Sequence, residues 1–383
     1  MENLCEHFGR CGGCTYLDIP YEEELAIKKQ HLIDTLGEYS QLFKGLHPTP
    51  NQSAYRNKME LAFGDDGPDR NLALGMRKKR SFYEVATPTN CVLICDDLKK
   101  IIVAVLEYFK NSNETFYHRK RHTGTLRHLV LRRGEFTGEI LLLLSTTSTL
   151  ETPLEPLIDE LTALPIAGKI VGFLHAQNDG IADAVKNENV SILYGQDYYM
   201  EKICGLDFKV SAFSFFQTNS AGAEVLYGFV RDYAKSASVN LACDLYCGTG
   251  TIAQILSPAF NKIIGIELVE DAIKAAKVNA ELNHITNCDF YAGDVMDIVK
   301  TITDVPDVVI VDPPRDGLHP KAVPGILALN TPTLVYVACK PGSLARDIPL
   351  LEQAGYKLEK IEGVDMFPRT THVEAIALLR KLL

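Results

Sequence analysis

Residues 211–383 predict an α/β fold built on a parallel sheet. In this region apolar runs of strand length alternate with stretches of helical periodicity, which is typical of βαβ units. Acidic residues follow several of these runs, and in open α/β sheets ligands bind beyond the carboxyl ends of the strands. The predicted strands span residues 240–245, 262–266, 308–311 and 333–338, and a probable antiparallel pair follows at 357–364 and 373–379.

The rest of the chain divides into three predicted segments. Residues 1–18 are rich in Cys and Gly, and residues 19–47 carry the apolar spacing of a helix that we expect to pack on the α/β domain. Residues 48–210 contain alternating or wholly apolar runs, for example at 126–131 and 139–144, and therefore predict a β-rich central domain.

The composition indicates an ordinary globular chain of two domains with a small appendage. Its 383 residues are 46% hydrophobic and 23% charged, as in average globular proteins. No apolar stretch approaches the roughly 20 residues that cross a bilayer, and the first residues lack a signal-peptide pattern. We therefore expect a cytoplasmic chain without a membrane or an obligate protein partner. Its ten cysteines then favour metal binding or catalysis over disulfides.

Positive charge is concentrated in one part of the chain, although the net charge is −10. Basic runs occur at 77–80 and 119–121, followed by Arg127, Arg132 and Arg133. Because clustered Lys and Arg side chains suit a phosphate backbone, this part of the central domain predicts a phosphate-binding surface. The alternative for each run is a solvated face.

A Gly-rich turn at 244–250 follows a predicted strand and opens a helix, where glycines let the backbone approach a ligand. Glu267 ends the next strand, 19 residues after Gly248, which is the position of a carboxylate that holds a ribose. Ala253 stands where a dinucleotide fingerprint has its third Gly, which argues weakly against NAD. With Asp294 after the third strand, the segment resembles the nucleotide site of class I S-adenosylmethionine-dependent methyltransferases, which have a Rossmann-like fold.

A thiol and a carboxylate are predicted at the same edge of the sheet. Cys339 follows the strand at 333–338, and Asp312 follows the strand at 308–311. A thiolate that adds to C6 of uracil turns C5 into a nucleophile for a methyl sulfonium, and a base must then remove the C5 proton. Glu374, at the start of the last strand, is the best candidate base. A strand-end Cys is more often inert core, and a free thiol needs help to ionise.

Together these motifs resemble the RNA uracil-C5 methyltransferase family, which makes 5-methyluridine in ribosomal and transfer RNA. The resemblance rests on residues 215–219, the Gly-rich turn, and residues 312–317, 336–341 and 367–374. It implies that Cys339 is the nucleophile and that Glu374 is the base. It also implies a cofactor pocket made by Gln217, Tyr246, Gly248, Gly250, Thr251, Glu267, Asp294 and Asp312.

The chain departs from that family beside the nucleophile. It has Ala338-Cys339-Lys340 where Ser-Cys-Asn is usual. One expectation is that Lys340 lowers the pKa of the thiol, and the other is that it reaches an RNA phosphate.

Three other functions would use parts of the same sequence pattern. Amino-methyltransferases carry an Asp-Pro-Pro-aromatic motif, but Arg315 replaces the aromatic ring here. RNA cytosine-C5 methyltransferases usually carry a second Cys after a Pro, and no Pro-Cys dipeptide occurs. A binding module without catalysis predicts RNA affinity that does not depend on S-adenosylmethionine.

The N-terminal cysteines have metal-ligand spacing. Cys5, Cys11 and Cys14 form C-x5-C-x2-C, and a fourth ligand is needed from Cys91 or Cys95. In the ribosomal branch of the family such a triplet and a distant Cys hold a [4Fe-4S] cluster, and the sequence around Cys91 resembles that fourth position. Zinc is the alternative metal. It ranks second because zinc sites usually pair two C-x2-C knuckles, whereas this chain has one.

The expected partner is RNA, and the target uridine is extruded from its stack, because C5 and C6 cannot be reached inside a helix. Many relatives begin with an oligonucleotide-binding barrel, the TRAM domain, for which the residues before Cys5 leave no room. The resemblance is therefore to the iron-sulfur branch without a TRAM domain, and it favours 23S ribosomal RNA. Uridine 54 of transfer RNA is the alternative.

Overall fold

The computed structural model describes residues 5–67, 69–182, 184–185, 187–235 and 239–382. Two large sheets and one small β-hairpin make up its architecture. Among the described residues, no helix combines the length and the apolar character needed to cross a membrane.

The first half of the chain begins with one helix and continues with strands, among which two further helices occur. In chain order they are α1 (Tyr21–Leu36), β1 (Phe43–Pro48), β2 (Lys58–Asp65), β3 (Leu72–Arg77), β4 (Val85–Ala86), α2 (Asp96–Lys110), β5 (Leu126–Arg133), β6 (Glu139–Thr146), α3 (Glu155–Thr162), β7 (Lys169–Gln177), β8 (Val190–Gly195), β9 (Tyr198–Ile203) and β10 (Leu206–Ser211).

The second half alternates helices and strands. Its elements are α4 (Ser220–Ala234), β11 (Leu241–Leu245), α5 (Thr251–Leu256), β12 (Lys262–Glu267), α6 (Glu270–Leu282), β13 (Cys288–Ala292), α7 (Val295–Ile298), β14 (Val308–Val311), α8 (Val323–Ala328), β15 (Thr333–Ala338), α9 (Pro341–Gln353), β16 (Tyr356–Asp365) and β17 (Glu374–Lys381).

The eight-stranded sheet has the order β1-β16-β17-β15-β14-β11-β12-β13. β17 pairs antiparallel with both of its neighbours, and the other pairs are parallel. Every residue of β14 and β15 is buried, as expected for central strands that are covered on both faces. The predicted α/β fold with a parallel sheet and a final antiparallel pair is therefore confirmed.

The N-terminal segment joins this sheet. α1 lies against α9, and β1 pairs parallel with β16 at the sheet edge. The sequence indicated the helix but not the strand, because β1 contains Gly45 and His47 and lacks an apolar alternation. The strand forms because β16 offers an edge and Leu46 packs into the core beneath it.

The central sheet has the order β4-β3-β2-β5-β6-β7-β8, with β6 and β7 parallel and the other pairs antiparallel. α2 and α3 cover one face through a wholly apolar cluster. The other face shares a cluster with the β9–β10 hairpin and α4, so residues as distant as Leu141, Phe208 and Leu226 belong to one core. This shared core fixes the central sheet against the α/β domain.

Candidate active site

A cavity of about 1370 Å³ opens at the carboxyl ends of the parallel strands, between the α/β domain and the β9–β10 hairpin. Of the ten residues predicted to be catalytic or cofactor-binding, eight line it: Gln217, Tyr246, Gly248, Glu267, Asp294, Asp312, Cys339 and Glu374. The strand order explains this convergence, because β12, β11, β14, β15 and β17 lie within one sheet.

Gly250 and Thr251 contribute to the turn rather than to the cavity wall. Gly250 has a φ of +74°, and a Cβ there would lie 2.7 Å from the ring of Phe290. Thr251 is the buried first residue of α5. Both residues therefore shape the Gly-rich turn behind the surface that a ligand would touch.

The Gly-rich turn and Glu267 hold each other in place. The backbone N–H of Gly248 donates to Oε2 of Glu267 at 3.2 Å, and the N–H of Val269 donates to Oε1 at 3.0 Å. Both carboxylate oxygens are thereby oriented, and each keeps a lone pair for a ligand hydroxyl. This geometry fits the ribose-binding role expected for Glu267. Asp294 likewise accepts from the N–H of Met296 at 2.9 Å at the start of α7.

Three carboxyl groups with raised pKa values belong to this region: Asp312 and Glu374 line the cavity, and Asp244 is fully buried near the end of β11. Burial raises the pKa of Asp244 to about 8, with repulsion from Asp312 as the second cause. Burial also raises the pKa of Asp312 to about 7. The pKa of Glu374 is raised to about 8 by burial and by Asp312, whereas Arg315 lowers it. A site with this excess of buried acid favours a positively charged ligand.

One buried oxygen points to the same conclusion. Oδ2 of Asp244 accepts from the N–H of Ala253 at 2.9 Å, but Oδ1 has no hydrogen-bond partner in the described structure. A buried carboxylate oxygen without a partner is costly. The sulfonium and ammonium groups of S-adenosylmethionine would offset this cost, so these residues fit that cofactor.

Cys339 is half-buried and lies among the acids. Burial raises the pKa of its thiol to about 11, and Glu374 and Asp312 raise it further, whereas Arg315 lowers it. Lys340 is exposed, and the cation that acts on the thiol pKa is Arg315. The expectation that Lys340 assists ionisation is therefore not what the structure favours, because its side chain faces solvent.

Sequence reasoning missed the part of the wall that comes from β9 and β10. Lys209 and Tyr198 line the cavity, and Nζ of Lys209 lies 3.9 Å from the centroid of the Tyr198 ring. Phe215, at the mouth, is 75% exposed. No motif marks the first two residues, because only the folding of the hairpin against α6 brings them to the cavity.

The N-terminal cysteines meet at a second, smaller cavity of about 40 Å³, which Cys5, Cys11, Cys14 and Cys91 line. Burial raises the pKa of Cys14 to about 12, and repulsion from the other three adds to it. Within the described ranges, no group of three or more His, Cys, Asp or Glu side chains has the arrangement of a metal site. The predicted iron-sulfur or zinc centre is therefore not shown. Cys95 instead precedes α2 and packs on the central core.

The basic residues of the central domain divide into two groups. Arg127 and Arg132 are 1% exposed and donate to backbone carbonyls, including Ala212 O at 2.9 Å from Nε of Arg132. They are structural, so their prediction as phosphate contacts was wrong. The exposed cations lie on two loops that meet where Tyr83 stacks on His118 at 4.3 Å. These cations are Lys79, Arg80, Lys120 and Arg121.

Comparisons with known proteins agree with this site. A family model described as tRNA (uracil-5-)-methyltransferase matches residues 172–382. An uncharacterized RNA methyltransferase of Clostridium tetani is 43% identical, with 100% of this chain and 84% of the relative covered. One from Caldanaerobacter subterraneus is also 43% identical, with 100% and 85% covered.

A solved structure extends the likeness to the whole fold. The tRNA (uracil-54, C5)-methyltransferase of Pyrococcus abyssi, in complex with S-adenosyl-L-homocysteine, superposes with a TM-score of 0.80 at 26% identity. The superposition covers 97% of this chain and 86% of the other. The class I methyltransferase architecture is thus confirmed.

The raised pKa of Glu374 predicts a pH-dependent stability. A carboxyl group whose folded pKa lies near 8, above its usual 4.5, contributes stability that is present below about pH 4.5 and lost as the pH rises towards about 8. Glu374→Gln should therefore flatten the decline of the unfolding free energy between about pH 5 and about pH 8. Urea denaturation without cofactor measures this decline. The exposed Glu352→Gln is the control, and equal slopes in both variants would contradict the prediction.

Proposed function

The chain belongs to the tRNA (uracil-5-)-methyltransferase family and is an RNA methyltransferase, and from this premise we propose that Cys339 and Glu374 carry out S-adenosylmethionine-dependent methylation of uridine C5. The observation that carries the proposal is that a thiol and a buried carboxyl face one acidic cavity. A general nucleotide-binding role does not require that pair.

The cofactor would lie along the acidic wall. Glu267 suits the ribose hydroxyls, and Asp294 suits the adenine end, beyond the turn that contains Tyr246 and Gly248. Gln217 and Asp312 also line the cavity, and Asp312 acts on the pKa of the Cys339 thiol. When bound, S-adenosylmethionine supplies an electrophilic methyl group on a cationic sulfur.

The side chains of this chain perform the remaining steps. The half-buried Cys339 thiol releases its proton to solvent. Its sulfur then bonds to C6 of the uracil as the C5–C6 double bond opens, which leaves C5 nucleophilic. Glu374 takes the proton from C5 after methylation, the C5–C6 double bond re-forms, and the thiolate leaves. A positive charge bound nearby would favour the ionised forms of both Cys339 and Glu374.

Two substitutions test these roles. Cys339→Ala should abolish methylation, because the covalent bond to C6 cannot form. Glu374→Gln should trap the methylated adduct, because the C5 proton then has no acceptor. A denaturing gel with labelled RNA detects the adduct, and scintillation counting measures methyl transfer.

The matched control is Cys204→Ala, which removes a half-buried thiol beside Glu224 and away from the cavity. It should leave turnover unchanged. Methyl transfer by Cys339→Ala at the rate of the parent protein would overturn the covalent mechanism. The double variant Cys339→Ala, Glu374→Gln should give no adduct.

We propose that the target lies in 23S ribosomal RNA, because the spacing of Cys5, Cys11 and Cys14 resembles that of the iron-sulfur ribosomal branch. Transfer RNA uridine 54 is the second candidate, since the P. abyssi enzyme with a TM-score of 0.80 is named for that position. The two exposed basic loops of the central domain offer a phosphate-binding surface for either RNA.

Mapping 5-methyluridine in RNA from a deletion strain distinguishes the two targets. Loss of one modification in 23S ribosomal RNA, with transfer RNA unchanged, is the expected result. Restoration by the parent gene but not by Cys339→Ala assigns the loss to this protein. Loss at transfer RNA position 54 alone would establish the second candidate.

We also propose that Cys5, Cys11, Cys14 and Cys91 hold a [4Fe-4S] cluster, with zinc as the alternative. Four thiols line one cavity, and burial, followed by repulsion from the other three sulfurs, raises the pKa of Cys14. A positively charged metal centre offsets that repulsion. The cluster would be structural, because the peptide around Cys11 forms a β-bridge with Lys78 of the central domain.

Metal content tests this site. Anaerobically purified protein should be brown and contain about four iron atoms per chain. Cys91→Ser should lower the iron content strongly, whereas the matched Cys95→Ser should not. A colourless protein with one zinc per chain would show that the metal is zinc and not iron. An equal loss of metal in both variants would reject Cys91 as the fourth ligand.

A further inference from the structure

The loop between β16 and β17 is held by its own backbone carbonyl groups. Four consecutive carbonyls, from Met366 to Arg369, each accept a hydrogen bond from a distant part of the chain. The donors and distances are Asn219 Nδ2 to Met366 O, 2.8 Å; Lys28 Nζ to Phe367 O, 3.1 Å; Tyr55 OH to Pro368 O, 2.9 Å; and the N–H groups of Thr15 and Tyr16 to Arg369 O, 2.7 and 3.2 Å.

These donors come from four separate segments. Asn219 caps α4, and Lys28 lies on α1. Tyr55 precedes β2 of the central domain, and Thr15 directly follows Cys14. Each bond closes a long loop of chain, and ordering such a loop has an entropic cost. Local bonds add to these, because the N–H and the hydroxyl of Thr370 also donate to Phe367 O, at 3.2 and 2.8 Å. The conformation of the loop therefore depends on distant segments as well as on its own sequence.

Buried charges reinforce the loop. Lys28 is 2% exposed and Glu24 and Asp365 are fully buried, with Nζ of Lys28 at 2.7 Å from a carboxylate oxygen of each. Glu24 also accepts from the N–H of Arg369 at 2.6 Å. A buried ionic network of this kind is weak evidence for stability, because desolvation offsets the attraction. What it does provide is a defined geometry.

The backbone of the loop is held in a conformation that a free chain avoids. Arg369 has a φ of +70°, in the left-handed region that residues other than Gly seldom occupy. Such a conformation persists when the surroundings determine it, as the hydrogen bonds that Arg369 donates to Glu24 do here.

The loop ends at the base. Glu374 is the first residue of β17, and its register partner on β16 is Val364, which adjoins Asp365 of the charged network. Ala375 pairs with Ala338, which precedes Cys339. A shift of the loop would therefore change the distance between the carboxylate of Glu374 and the ring carbon bonded to Cys339.

We propose that Tyr55 and Lys28 are positioning residues for Glu374, which they fix through the carbonyls of Pro368 and Phe367. This inference rests on the proposed role of Glu374 as the base. A base must lie within hydrogen-bond reach of the proton it removes, and small misplacements of a reacting group lower rates strongly. The hydrogen bonds from Tyr55 and Lys28 should therefore affect the removal of the C5 proton more than the other steps.

The test is Tyr55→Phe, which removes one hydroxyl and preserves the ring. The matched control is Tyr356→Phe, since Tyr356 is also buried and donates to a backbone carbonyl, Thr331 O, at 2.8 Å. Tyr356 lies at the opposite end of β16 from the loop. Lys28→Met is the second variant, which keeps the length of the side chain.

Three readouts separate positioning from mere stability. In Tyr55→Phe we expect kcat to fall roughly tenfold, with the KM for S-adenosylmethionine within about twofold of the parent value. The covalent RNA adduct should accumulate on a denaturing gel. RNA with deuterium at uridine C5 should show a larger isotope effect on turnover, because proton removal becomes rate-limiting. Tyr356→Phe should change only the melting temperature.

The inference is overturned if both Tyr→Phe variants behave alike in kcat, adduct and isotope effect. It is also overturned if Tyr55→Phe weakens cofactor binding without adduct accumulation. A Glu374→Gln enzyme that forms no adduct would instead reject Glu374 as the base, so the failure of the proposed function is recognised separately.

Discussion

The active cavity depends on carboxyl groups that are buried with too few cations to balance them. Burial raises the pKa values of Asp244, Asp312 and Glu374. Asp312 raises those of Asp244 and Glu374 further, and with Glu374 it raises that of the Cys339 thiol, whereas Arg315 lowers the pKa of Glu374 and of Cys339. Without a ligand, this arrangement favours protonated, unreactive groups. A bound cation would favour the ionised forms of the same groups.

The second constraint is that Glu374 lies where distant parts of the chain meet. Helix α1 and strand β1 precede the central domain in sequence but pack on the eight-stranded sheet. Through them, and through Tyr55 and the cysteine segment, both halves of the molecule contact the loop before Glu374. A metal centre in the cysteine segment would support the same loop from the side of Thr15.

Local sequence signals predicted the strands and the Gly-rich turn well. The apolar runs at 308–311 and 333–338 became β14 and β15 without change of boundary, because a central parallel strand must be apolar throughout. Predictions that depended on exposure were weaker. Arg127 and Arg132 resemble their exposed neighbours in sequence, yet both are buried against backbone carbonyls. Charge type alone does not reveal which face of a strand meets the core.

The sequence by itself determined the fold class, the family and the residues at the strand ends, since strand periodicity and Gly-rich turns are local properties. The tertiary structure decided the burial and the contacts of those residues. Lys209 and Tyr198 reach the cavity only through the packing of a hairpin. The carbonyls of residues 366–369 gain their long-range donors only when four distant segments converge. Burial and long-range hydrogen bonds depend on the whole chain at once, and for that reason no local pattern contains them.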